Sequence, residues 1–143
     1  MRYVLDTNVV VAAFRSAFGA SRQLLLGALD GHFELLLSVP LTLEYEAVLT
    51  RPEQLAAMGG RRSEVLALLD DIVAVATPVR FSFRWRPALF DRGDDMVLET
   101  ALNGAADAIV TFTLSDFVLV PERFHCAVLS PAQVLERLRR QEQ

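Results

Sequence analysis

Apolar residues follow two rhythms along this chain. Short, nearly continuous apolar runs occur at residues 3–5, 33–38, 108–112 and 127–129. Such runs suit strands buried on both faces, the usual situation in a parallel sheet. Between them lie longer stretches with apolar positions three and four apart, the spacing of an amphipathic helix. These predict helices over 7–15, with Val11 and Phe14 on one face, and over 21–30, ended by Gly31. A third helix starts at Pro40 and runs to Thr50, where Arg51-Pro52 stops it. Gly59-Gly60 marks a loop, and Ser63 is the expected cap of a fourth helix reaching Val75. Residues 77–93 look irregular. A fifth helix spans 94–103 and is closed by Gly104, and a last one opens at Ser130-Pro131-Ala132-Gln133, a capping-box pattern. Helices alternating with short apolar strands predict an α/β fold: one domain over 1–143, a three-layer α/β/α sandwich with a mostly parallel central sheet.

At 143 residues and 52% hydrophobic content the chain is long enough to bury a substantial core. No apolar run is long enough to span a bilayer, and Asp6 and Asn8 interrupt what would be the apolar part of a signal peptide. The expectation is a soluble cytoplasmic protein without membrane contact. The single cysteine, Cys126, lies in an apolar run and reads as a buried thiol rather than a nucleophile. A net charge of −4 argues against a general polyanion-binding surface. All 14 basic residues are arginine, so chemistry that needs a catalytic lysine is excluded.

Candidate chemistry is acidic. Asp6 ends the first strand, and in open α/β sheets ligands bind outside the carboxyl ends of strands. It is also placed as an ordinary helix N-cap. Glu44 borders the Leu41–Tyr45–Val48 stripe of the third helix, whereas Glu46 points further away and reads as solvated. Asp95 opens the fifth helix just before Met96, Val97 and Leu98; Asp94 reads as its cap or as support, and Asp91 as a loop residue. Asp116 follows the strand that carries Thr111. Carboxylates gathered at one sheet edge repel unless a cation intervenes, and an oxygen-only set suits Mg²⁺ or Mn²⁺. Zinc is not expected, because one cysteine and His32 and His125 show no ligand spacing; both histidines read as surface residues. Arg84-Trp85-Arg86, near Phe81 and Phe83, combines cations with stacking surface, as single-stranded RNA favours. Arg15, Arg22 and Arg51 are candidates to lie near the acidic edge.

Four segments in order resemble the PIN-domain nucleases, and more closely the bacterial members that act as toxins of toxin–antitoxin systems (VapC-like). They are Val4-Leu5-Asp6-Thr7-Asn8, residues 38–52 around Glu44, Asp94-Asp95 through Ala101, and residues 106–117 from Ala106-Asp107 through Thr111, Thr113 and Asp116. The resemblance implies a metal-dependent endoribonuclease with a PIN-like fold. It places three acids on Asp6, Glu44 and Asp95, and a small polar pair on Asn8 and Thr111. Asn8 would hydrogen-bond Asp6 or a ligand water. It also implies RNA as substrate, a cognate antitoxin protein, and a homodimer. Thr113 departs from the pattern, since an acid or asparagine normally stands there; Asp116, three positions on, is the expected substitute. The alternative is a catalytically impaired PIN-like module that binds RNA or antitoxin. A phosphatase of the haloacid-dehalogenase type shares the strand-end aspartate and the Gly93-Asp94-Asp95 run, but it wants an acid where Asn8 stands and a lysine the chain lacks.

Overall fold

The structure, a computed structural model, describes residues 1–82 and 92–141, the side chains of residues 92–94 excepted. Five strands form one wholly parallel sheet in the order β3-β2-β1-β4-β5. They are β1 (Arg2–Leu5), β2 (Glu34–Leu37), β3 (Thr77–Pro78), β4 (Ala108–Val110) and β5 (Ala127–Leu129). The eight helices among the described residues are α1 (Thr7–Arg15), α2 (Ala20–Leu29), α3 (Val39–Leu49), α4 (Pro52–Met58), α5 (Arg62–Val75), α6 (Arg92–Asn103), α7 (Val120–Phe124) and α8 (Pro131–Gln141). None of them alone is long and apolar enough to cross a membrane. The expected α/β fold with a parallel central sheet is therefore present.

The strands explain their own apolar runs. Tyr3, Val4 and Leu5, Leu35 to Leu37, and Ala108 to Val110 are all buried, because helices cover both faces of the sheet. Capping follows side-chain chemistry. The Ser38 hydroxyl accepts from the Leu41 amide at the start of α3, with Pro40 in its first turn. Ser130 and Gln133 exchange hydrogen bonds at 2.8 and 3.2 Å to open α8, the reciprocal cap the sequence suggested. Gly31, at φ 78°, ends α2 in the left-handed conformation that glycine adopts freely.

Several boundaries differ from the sequence reading, each for a local reason. Pro52 ends α3 but then starts α4, since a proline fits a first helical turn as well as it breaks an interior. Helix α5 begins at Arg62 rather than under a Ser63 cap; the Glu64 carboxylate reaches back to the Arg61 amide instead. Edge strand β3 is only Thr77–Pro78, too short to leave a periodic signal. Helix α6 begins two residues early, so Asp94 lies inside its first turn and is not its cap. Gly104 does not close α6 by a left-handed turn; Ala105 takes that conformation at φ 51°. Gly104 is needed for close packing, since a Cβ there would stand 2.9 Å from Leu36 and from Val79 and 3.0 Å from the Thr100 carbonyl.

The N-terminal edge of the sheet is stitched by Arg2. Its guanidinium donates to the Gly104 carbonyl and to Glu34, and its amide donates to Asp107. Helix α6 therefore ends at this edge, so its first turn lies toward the opposite, carboxyl edge. Cys126 is buried, as expected, and burial pushes its thiol up to about 11. A thiol with a raised pKa stays protonated until high pH, so native Cys126 should resist alkylation at pH 8 and react once urea unfolds the chain. Gly104→Ala should lower stability by about 1–3 kcal/mol through overpacking, read as a lower urea midpoint.

Candidate functional site

Strand order decides where the chemistry can sit. From β1 the chain steps to β2 and β3 on one side, then crosses to β4 on the other side. The crevice between the carboxyl ends of β1 and β4 is thus the topological switch point, where open parallel sheets bind ligands. Asp6 follows β1 and Thr111 follows β4, so both stand at that crevice.

Asp6 serves as N-cap and site residue together. Its Oδ1 accepts from the Thr7 amide at 2.7 Å, and its Oδ2 accepts from the Thr111 hydroxyl at 2.8 Å. Its own amide donates to the Val110 carbonyl, which ties it to β4. Thr111 is fully buried and Asp6 only 7% exposed. The Thr111 hydroxyl in turn lies 3.1 Å from that of Thr113, which accepts a long 3.4 Å contact from the Asn8 amide nitrogen. Because Thr111 spends its proton on Asp6, Thr113 is the donor to Thr111. The protons then run one way, from Asn8 through Thr113 and Thr111 to the Asp6 carboxylate, a direction that strengthens each bond in turn.

This geometry corrects two expectations. Asn8 does not bond Asp6; it reaches Thr113, and its carbonyl oxygen accepts from the Phe112 amide at 3.4 Å. Asp116 does not join the group. It is exposed in the 3-10 turn Leu114–Phe117, and its amide turns back to the Thr113 carbonyl.

Asp95 lies in the first turn of α6, at the carboxyl edge, and is 7% exposed. Glu44, on α3, is half-buried, and so is Glu46, so burial does not separate them as sequence reasoning did. The helices that carry Glu44 and Asp95 are bound to each other. Ser38 and Thr100 hydroxyls meet at 2.7 Å in the core, and Thr100 donates to the Met96 carbonyl. Tyr45 ties α3 to β1 as well, its buried hydroxyl donating to the Leu5 carbonyl. Burial, then the negative charge of Asp6, hold this phenol well above its usual pKa.

Sequence reasoning missed Ser38, Tyr45, Glu99 and Thr100 as polar groups of this region. Glu99, one turn after Asp95, is fully buried. Its place on the inner face of α6, beside Leu98, was the available signal. Arg22 is not near the acidic edge in function; its guanidinium donates to the Ala13 and Phe14 carbonyls at the end of α1. His32 and His125 are exposed, as expected. Arg84-Trp85-Arg86, Phe83 and Asp91 lie outside the described residues. An open concavity of ≈ 470 Å³ lined by Met1, Asp30, His32 and Glu34 sits at the other edge of the sheet and holds no candidate site residue.

The donors at the carboxyl edge are oxygen-only, which fits a hard divalent cation. Among the described residues, no three of Asp, Glu, His and Cys form a group ready to hold a metal. A small ion such as Mg²⁺ commonly uses one or two carboxylates and keeps several waters, so Asp6 and Asp95 suffice in number. Thr111→Val should cost about 1–3 kcal/mol, because the Asp6 carboxylate loses a buried donor, whereas Thr111→Ser should retain most of the stability. Urea melts of the two variants distinguish this from a role in packing alone, in which valine would be the milder change.

Comparison with known proteins bears on the fold and the family. No curated protein matches the chain in sequence. In structure it is similar to VapBC2 from Rickettsia felis, solved bound to a DNA fragment from their promoter. The TM-score is 0.60 at 14% identity, over 91% of this chain and 98% of that one, a likeness of fold. The family model described as PIN domain matches residues 2–113, from the first strand through Thr113. PIN domains are generally nucleases and typically use divalent metal ions. With most of its length matched, and with Asp6, Glu44, Asp95 and Thr111 inside the match, the chain belongs to the PIN domain family.

Proposed function

We propose that this protein is an endoribonuclease that hydrolyses RNA phosphodiester bonds with Mg²⁺ or Mn²⁺, and that it is the toxin of a toxin–antitoxin pair. The observation that carries this reading is the pair of nearly buried carboxylates, Asp6 and Asp95, at the carboxyl edge of a PIN-family sheet. When bound, a divalent ion supplies activation of water and neutralisation of phosphate charge. Asp6 and Asp95 would hold the ion. Glu44, on α3, would accept a proton from the attacking water. Thr111 keeps Asp6 in place, and Thr113 and Asn8 keep Thr111 in place. Thr113 thus supports a carboxylate instead of adding a charge, which favours one ion per chain. Asp94 and Asp116 would add negative potential at the rim, and Arg84, Trp85 and Arg86 would contact the RNA strand.

The likeness to VapBC2 supports an antitoxin partner. So do the apolar side chains that Phe112, Leu114, Val118 and Leu119 expose just beyond Thr111, a surface suited to being covered by another chain. A homodimer is part of the same proposal. A second reading is a PIN-like module that binds RNA or antitoxin without cleaving. It is favoured by the absence of a three-acid group among the described residues.

Calorimetric titration of Mn²⁺ into metal-free protein separates the two. The nuclease reading expects about one ion per chain, bound through carboxylates and waters, with binding lost in Asp95→Asn while the fold is kept. A folded parent protein that takes up no Mn²⁺ at millimolar concentration would leave the binding module standing.

A further inference from the structure

The two sides of β1 end at different heights. Toward β4 its ladder continues to Leu5, opposite Val110. Toward β2 it stops at Tyr3, opposite Leu35. Successive peptide groups of a strand point to alternate sides, so the Asp6 amide faces β4 and the Leu5 carbonyl faces β2. The Asp6 amide finds the Val110 carbonyl at 2.8 Å. The Leu5 carbonyl has no ladder partner, because β2 ends at Leu37 and Ser38 turns the chain into α3. A buried carbonyl left without a donor is costly. The Tyr45 hydroxyl, returning from the second turn of α3, fills this gap.

The Leu5 carbonyl and the Asp6 amide belong to one planar peptide unit. That plane is held from both sides, by Val110 on its N–H and by Tyr45 on its C=O, and the Asp6 side chain leaves the backbone at its edge. Tyr45 is also the neighbour of Glu44 on α3. We infer that Tyr45 is a positioning residue: by clamping the Leu5–Asp6 peptide from α3, it sets the aim of the Asp6 carboxylate and the placement of Glu44 relative to it. This rests on the metal-dependent reading of Asp6 given above. Tyr45 touches neither ion nor substrate. Its effect passes through the backbone.

The test is Tyr45→Phe, which keeps the buried ring and removes the donor. The control is Ile72→Val, a core change on α5 outside the hydrogen bonds that hold the Leu5–Asp6 peptide. Three readouts are taken on folded full-length protein: melting temperature, hydrogen exchange at the Asp6 amide, and Mn²⁺ affinity by calorimetry. A purely structural tyrosine would move the melting temperature alone, as Ile72→Val does. A positioning tyrosine should in addition speed exchange at the Asp6 amide and weaken Mn²⁺ binding by about 10-fold, the usual size of a supporting-residue effect. Exchange and Mn²⁺ affinity both equal to the control would overturn the inference, and faster exchange with parental Mn²⁺ affinity would reduce Tyr45 to a strand-end cap. Should the parent itself bind no Mn²⁺ while exchange at Asp6 still rises in Tyr45→Phe, the metal reading falls and the clamp on Asp6 stands.

Discussion

Holding carboxylates almost out of water at the edge of an apolar sheet is the constraint on which this structure turns. A buried charge is costly unless donors surround it. The Asp6 carboxylate accepts from the Thr7 amide at the start of α1 and from the Thr111 hydroxyl at the end of β4, while its peptide is fixed by the Val110 carbonyl and, through Leu5, by the Tyr45 hydroxyl. The Thr111 and Val110 links exist because β1 lies beside β4 in the sheet. The strand order is thus a condition of the site's chemistry as much as of its packing.

Among the described residues, several of the polar groups beside the acids are neutral and buried. Ser38, Thr100, Thr111 and Tyr45 supply hydroxyls. Hydroxyls orient a carboxylate without cancelling its charge. Hydroxyl partners of this kind hold a carboxylate in a fixed orientation, as a divalent ion requires of its ligands. Thr113 fits the same logic. In place of an acid it contributes one more neutral link behind Thr111.

Much of this was legible from the chain alone where burial is two-sided and the signal is local. Strands β1, β2, β4 and β5 announce themselves as apolar runs, and Ser130 with Gln133 spells its own cap. Asp6, Glu44 and Asp95 could be singled out because each breaks or borders such a pattern, and Thr111 through the family resemblance. What escaped notice was non-local or doubly used. The two residues of β3 carry no periodicity, and Pro52 both stops one helix and starts the next. Tyr45 reads as core by its spacing, and it is core; its hydroxyl matters only because β2 turns away two residues early, which no local pattern encodes. The resemblance turns Asn8 toward Asp6 or a ligand water, whereas the fold puts Thr113 within its reach.

The Asp6–Thr111 hydrogen bond joins residues 105 positions apart. During synthesis β1 emerges among the first residues, yet its partner β4 and the hydroxyl that steadies its carboxylate come from the last third of the chain. Closing so long a loop is paid for before any contact returns the cost, so this pairing belongs to the late part of folding. A ribosome-bound chain that has not passed Thr111 cannot hold Asp6 in its final setting. The arrangement of strands consequently acts as a timer, keeping the acidic edge unassembled until Thr111 has been made.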